Sequence, residues 1–133
     1  MGVVVVDASV AIKWFTTEPH TEDALRILNG EPLLHAPDFF LAEFTNVLWK
    51  KVVRKEITHE LCLDIITGLE NLSITYHPAG PFMRRALELA VRYKRSAYDC
   101  LYWAVALEMN GTFITADRKF QSEFASSPHA HRI

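Results

Sequence analysis

The stretch VVVVDAS, residues 3–9, decides the fold class. Four consecutive β-branched residues, Val3 to Val6, closed at once by Asp7, read as a short strand buried on both faces, the pattern of a parallel sheet. Parallel strands need long crossovers, usually helices, and the rest of the chain supplies them. A short helix follows Asp7 through Phe15. Thr21 to Asn29 reads as a helix stopped at Gly30, Leu33 to Ala36 as a second strand, and Pro37 sits where helices begin. From Asp38 to Lys55 the apolar residues Phe40, Phe44, Val47 and Leu48 recur at helical spacing. Thr58 caps a further helix that runs to Asn71, and the two together predict an antiparallel helical pair. Ser73 to Tyr76 is a third strand, Pro81 to Tyr93 a helix, and Ala97 to Met109 another, ended by Asn110 and Gly111. Thr112 to Thr115 is a fourth strand, and a short last one falls near His131. Strands alternating with helices give an α/β sandwich around a mostly parallel sheet with right-handed crossovers.

The chain has 133 residues, half of them hydrophobic. That is enough for one compact domain over residues 1–133 and too few for two. The amino terminus has no cationic start and no cleavage-like site, so no signal peptide is expected. The longest apolar run, Cys100 to Leu107, is eight residues, against about 20 for a membrane-spanning helix. Cys62 and Cys100 lack the spacing of a zinc site or a secreted framework, which predicts reduced thiols and a cytoplasmic protein. A net charge of −2 argues against a protein that holds nucleic acid mainly by a basic surface. The cations are nonetheless clustered. Lys50, Lys51, Arg54 and Lys55 end one helix, where dipole complementarity and solvation explain them as well as function does. Arg92, Lys94 and Arg95 precede Asp99, and Arg118 and Lys119 follow Asp117. Arg118, Lys119 and Arg95 are the candidate phosphate contacts.

Four carboxylates stand where such a sheet gathers its ligand site. Asp7 closes the first strand, Glu43 lies on a helix, Asp99 opens a helix, and Asp117 follows the fourth strand. In an open α/β sheet the carboxyl ends of the strands and the first turns of the following helices meet at one edge. Two carboxylates about 4 Å apart repel by roughly 4 kcal/mol at an effective dielectric near 20, so four together call for a divalent cation. Each acid also has a structural role to weigh. Asp7 and Asp117 are good helix caps, and Ser96-Ala97-Tyr98-Asp99 approximates a capping box. Glu43 is harder to explain structurally. It sits among Phe39, Phe40, Leu41, Ala42 and Phe44, where an unpaired carboxylate costs several kcal/mol, and Lys50 reaches it only in a bent geometry. A site facing Glu43 is the better account.

These residues carry a family resemblance. Asp7 and Ser9 after the valine run, Glu43 with Asn46, Val47 and Leu48, then Ser96, Tyr98, Asp99, Leu101, Tyr102, Ala104 and Ala106, and finally Thr115, Asp117 and Phe120, together resemble the PIN-domain ribonucleases. The small single-domain toxins of bacterial and archaeal toxin–antitoxin pairs, called VapC, look most similar. The resemblance implies a PIN-like three-layer α/β/α sandwich and a Mg²⁺- or Mn²⁺-dependent endoribonuclease. It also implies a cognate antitoxin that holds the enzyme inactive, and a homodimer. It places metal coordination and catalysis on Asp7, Glu43, Asp99 and Asp117, with Ser9, Asn46 and Thr115 as supporting polar groups. One departure is visible: some PIN nucleases carry a further acid shortly after the fourth, where this chain has Arg118 and Lys119.

Hard oxygen ligands suit Mg²⁺ or Mn²⁺, and in-line attack by water implies 5′-phosphate and 3′-hydroxyl products from single-stranded or looped RNA. Trp14, Phe15 and Tyr98 are candidates to stack on bases, with ordinary packing as the competing role. Zinc is disfavoured because the six histidines are scattered. No glycine flanks Ser9, so a nucleophile elbow is excluded. Two readings from other classes are a non-catalytic PIN-fold binding module and an aspartate-based phosphotransfer domain, although Asp7-Ala8-Ser9 supplies only one carboxylate. The pair of helices from Asp38 to Asn71, with Phe39, Phe40, Trp49 and Leu63, offers more apolar surface than one side of a small sheet covers, a face for an antitoxin segment or a second subunit.

Overall fold

The computed structural model describes residues 2–116 and the backbone of 130–132. Its sheet is parallel throughout, in the order β3-β2-β1-β4-β5. The strands are β1 (Val3–Val6), β2 (Leu33–Pro37), β3 (Ile74–His77), β4 (Thr112–Thr115) and β5 (Ala130–Arg132). β1 is central, and Val4, Val5 and Val6 are all buried, as an uninterrupted valine run requires. The chain builds outward from β1 through β2 to β3, then returns to place β4 on the other flank of β1. That reversal puts a switch point between β1 and β4. Val6 pairs with Ile114, so Asp7 and Thr115 emerge side by side at the carboxyl edge.

Helix α6 (Ala97–Glu108) lies against β1, β2 and β4. It is apolar nearly all round, with Cys100 and the run Tyr102 to Ala106 buried, as befits a helix covered on both sides. The helix covering it is α5 (Met83–Tyr93), entered through a 3₁₀ turn at Gly80–Phe82. Near the start of the chain, α1 (Ala8–Ala11) passes into a 3₁₀ turn (Ile12–Trp14), and α1 packs on α3 (Phe40–Val53). Helix α2 (Thr21–Asn29) is pinned to that turn by the Trp14 indole, which donates to the Ala24 carbonyl at 2.9 Å. Helix α4 (His59–Glu70) begins at Thr58, whose hydroxyl accepts from the Leu61 amide at 3.1 Å. The Cys62 thiol of α4 reaches the Leu48 carbonyl of α3 at 3.9 Å, joining the helical pair.

Several boundaries differ from the sequence reading: β3 is shifted one residue to Ile74–His77, α5 starts at Met83 behind a 3₁₀ turn, and α3 ends at Val53. Pro37 ends β2 rather than opening a helix, because a last strand residue can do without an amide donor; it is fully buried and α3 starts at Phe40. Phe40, expected on an outer apolar face, is wholly in the core, whereas Trp49 and Leu63 stay exposed. Both cysteines are free and buried. Among the described residues no helix is long and apolar enough to cross a membrane.

Candidate active site

Asp7 sits at the switch point, where its carboxylate does local and long-range work together. Its Oδ1 accepts from the Val10 amide at 3.1 Å, capping α1, and from the Ser9 hydroxyl at 2.5 Å. Its Oδ2 accepts from the Thr115 hydroxyl at the end of β4, also at 2.5 Å. Ser9 and Thr115 therefore orient one carboxylate from two elements far apart in sequence. Burial pushes the Asp7 carboxyl above the usual range despite those three donors, and the charge of Asp99 adds to the rise.

Glu43 lies in the first turn of α3, half-buried. The partner it needs is Tyr102 of α6, whose hydroxyl donates to Oε1 at 2.9 Å. Tyr102 is itself fixed, stacked parallel on Phe113 at 5.8 Å and edge-on to Phe39 at 5.1 Å. Burial raises the Glu43 pKa first, and the charges of Asp7 and Asp99 raise it further, while the Tyr102 hydrogen bond opposes them. Burial and then the Glu43 charge push the Tyr102 phenol up, so it stays a donor. Sequence reasoning gave Tyr102 no separate role. The signal was available, since residues 99 and 102 share a face of one helix.

Asp99 is in the first turn of α6, and its amide donates to the Ser96 hydroxyl at 3.2 Å, the cap the sequence predicts. Its carboxylate acts electrostatically on Asp7, Glu43 and the neighbouring Cys100 thiol. Burial first, then Asp99, lift that thiol to about 11, with Arg95 opposing, so Cys100 stays protonated and unreactive near neutral pH. Asn46 is exposed one turn beyond Glu43, and the two line a cavity of about 390 Å³ with Phe39, Ala42 and Tyr98. Arg95 is half-buried in the turn between α5 and α6. Asp117, Arg118 and Lys119 lie outside the described residues.

Three carboxylates thus feel one another at a single edge of the sheet. Among the described residues no three acidic, imidazole or thiol side chains draw close enough to enclose an ion. The donor chemistry nevertheless fits a hard divalent cation: Asp7, Glu43 and Asp99 offer only oxygen. Burial raises the pKa of both Asp7 and Glu43, and the neighbouring carboxylates add a smaller rise that a cation would offset.

Residues 4–123 match the PIN domain family, and the chain belongs to that family. Ribonuclease VapC12 of Mycobacterium tuberculosis is 31% identical over 115 residues, covering 86% of this chain and 87% of the relative. Ribonuclease VapC3 of Pyrobaculum aerophilum is 27% identical over 123 residues, covering 91% and 94%. Within the PIN-domain family, the chain is therefore a member of the VapC group. A toxin–antitoxin complex from Klebsiella pneumoniae has the same fold, with a TM-score of 0.64 at 18% identity over 96% of this chain and 94% of that one.

Proposed function

We propose that this protein is a metal-dependent endoribonuclease toxin: a single PIN domain that cuts cytoplasmic RNA and is restrained by a cognate antitoxin. The observation that carries the reading is the convergence of Asp7, Glu43 and Asp99 at the β1–β4 switch point, two of them held by dedicated hydroxyl donors. Asp117 follows β4 directly in sequence and is assigned to the same site. Asp7, Glu43, Asp99 and Asp117 would hold the cation, with Ser9, Thr115 and Asn46 in support. A bound Mg²⁺ or Mn²⁺ supplies Lewis acidity and a more acidic water.

The residues themselves orient the reaction. Ser9, Thr115 and the Val10 amide fix both oxygens of Asp7, and Tyr102 fixes one oxygen of Glu43. Water forms the new bond to phosphorus as the bond to the 3′ oxygen breaks, leaving a 5′-phosphate and a 3′-hydroxyl.

The partner proposals rest on exposed apolar side chains. Trp49 and Val53 of α3, four residues apart, and Leu61 and Leu63 of α4 are uncovered, and these exposed apolar residues are assigned to the antitoxin. The toxin–antitoxin assembly of the Klebsiella pneumoniae neighbour supports that partner. Met83, Leu87 and Val91 recur every four residues along α5, all exposed; they are assigned to a second copy.

The test is an end-labelled structured RNA incubated in Mg²⁺, Mn²⁺ or chelator, beside an Asp99→Asn protein purified identically. Metal-dependent cuts with 5′-phosphate ends, absent in the variant, are expected. Equal cutting by both proteins, or cyclic phosphate ends, would overturn the reading. Light scattering with and without the antitoxin tests the partner face, and an unchanged monomer would sink both partner assignments.

A further inference from the structure

A cluster of three carboxylates repels the polyanion it is meant to cut, and a chain of net charge −2 provides no general attraction to offset this. The attraction therefore has to be local, and the cations of one groove supply it. Between α1 with its 3₁₀ turn and α3 runs a groove of about 280 Å³, lined by Ser9, Lys13, Val47, Lys50, Lys51 and Arg54, with Ile12 and Glu18. It opens beside the acids, because Ser9 both lines it and donates to Asp7. Four cations face one carboxylate there.

Those four are not equivalent. Glu18 accepts from Lys13 at 3.0 Å and from Lys51 at 3.2 Å, and Lys51 also meets Glu56 at 3.5 Å. The Thr16 hydroxyl donates to the same Glu18 at 2.7 Å. Lys13 is buried, and Lys51 is half-buried. These two lysines tie the 3₁₀ turn to α3. Lys50 and Arg54 are exposed and make no ion pair among the described residues. They stand four residues apart, on the helix face that also carries Asn46. Counting from Glu43, they lie about 10 Å and about 16 Å further along the axis of α3.

We infer that Lys50 and Arg54 are a phosphate track: they hold the backbone of the RNA strand as it leaves the acids past Ser9 and Asn46. The inference rests on the ribonuclease reading and adds to it the residues that grip the substrate. A helix-dipole role for the same two cations stabilises α3 but does not touch RNA affinity, so the two roles separate experimentally.

The experiment measures binding of fluorescein-labelled single-stranded RNA by anisotropy in chelator, where nothing is cut, from low to moderate salt. Lys50→Ala, Arg54→Ala, the double variant, Arg54→Lys and Arg85→Ala are compared with the parent. Arg85, paired at 4.0 Å with Glu108 between α5 and α6, controls for net charge. Each track alanine is expected to weaken binding several-fold and to flatten the slope of log affinity against log salt by about 0.7, the value for one phosphate contact on a single strand. Arg54→Lys should keep the slope, and Arg85→Ala should match the parent. Thermal melts confirm that each variant is folded, and Lys50→Gln or Arg54→Gln replaces the corresponding alanine where it is not. Parent-like affinity and slope in the double variant would overturn the track and leave the nuclease standing. Loss of binding to polyglutamate with RNA binding intact would overturn it in favour of an acidic protein partner. A parent that neither binds nor cuts RNA would remove the ribonuclease reading and the track with it.

Discussion

Replacing one oxygen of Asp7 by nitrogen separates what that residue does for the fold from what it does for chemistry. The amide oxygen of Asn still accepts from Ser9 and the Val10 amide, and the Thr115 hydroxyl can rotate to accept from the new nitrogen. Only the charge is lost. Because burial raises the Asp7 pKa, the folded chain binds that proton more tightly than the unfolded chain. The stabilisation is full below the ordinary carboxylate pKa and disappears as pH rises, so the ionised form is a burden at neutral pH. Asp7→Asn should therefore abolish cleavage yet melt in chelator at or above the parent temperature. Asp7→Ala should lose the α1 cap and about 1 kcal/mol. A drop of several degrees for Asn would show that the cap geometry outweighs the repulsion. The aromatic candidates separate just as clearly. Trp14 is buried and bonded to Ala24, and Phe15 is edge-on to Phe44. Tyr98, 63% exposed, stands edge-on to Phe39 at 5.5 Å in the cavity it shares with Glu43 and Asn46. If Tyr98 stacks on a base, Tyr98→Ala should weaken RNA binding by about 1–3 kcal/mol while Tyr98→Phe leaves it intact. Equal affinity for Ala and parent in the anisotropy assay would return Tyr98 to rim packing. At this scale the need of Glu43 for a partner was legible, because a carboxylate amid apolar residues needs a reason. The place of Tyr102 on the Asp99 face was legible, but its bond to Glu43 was not, since a helical pattern does not name a partner 59 residues away.

The elements were legible wherever punctuation is chemical. β1 and β4 run over Val3–Val6 and Thr112–Thr115 as read, and Thr58 and Ser96 cap α4 and α6 through their hydroxyls. The glycines were legible only in part. Gly30 and Gly111 do mark helix ends, yet the left-handed residues are their neighbours Glu31 (φ 53°) and Asn110 (φ 52°). Gly111 is small for another reason: a Cβ there would lie 2.8 Å from the Val3 carbonyl oxygen, so β1 could not approach. Such a contact between the chain's third residue and its hundred-and-eleventh leaves no local trace. The pair formed by His35 on β2 and His77 on β3 was also invisible, because strand pairing decides it. Their rings stack at 5.1 Å, with Nδ1 of His35 2.8 Å from Nε2 of His77. Burial, and then the His77 charge, lower the His35 pKa below its ordinary 6.5. The unfolded chain then holds a proton that the folded chain rejects. His35 thus contributes stability that is present above about 6.5 and lost as pH falls through the folded value. Asp7 and Glu43 act in the opposite sense, so the comparison has to be differential. Urea unfolding of the parent and of His35→Gln should diverge below neutrality, the parent losing more as pH falls. Parallel curves would mean the pair does not resist protonation.

For the molecule as a whole, strands alternating with helices determined the class, because short apolar runs joined by helices leave a parallel sheet as the economical solution. The order β3-β2-β1-β4-β5 was beyond that reading, since four-residue strands such as β1 and β4 carry no label for their neighbour. Yet this order puts the candidate site edge between β1 and β4 and brings the Thr115 hydroxyl to Asp7. It also divides the charge: acids gather at the carboxyl edge, while α3 carries Lys50, Lys51 and Arg54 away from it. A fold that concentrates carboxylates in this way stores a repulsion that any bound cation should return as stability. Binding to the folded state alone stabilises by about 2.7 kcal/mol at a hundredfold excess over Kd. Mg²⁺ or Mn²⁺ should accordingly raise the melting temperature of the parent by several degrees over chelator, at matched ionic strength. Asp7→Asn, already relieved of part of the repulsion and short of a ligand, should gain much less. An equal rise in both proteins would place the ion elsewhere on the surface, and no rise in either would mean that these acids hold no cation without RNA.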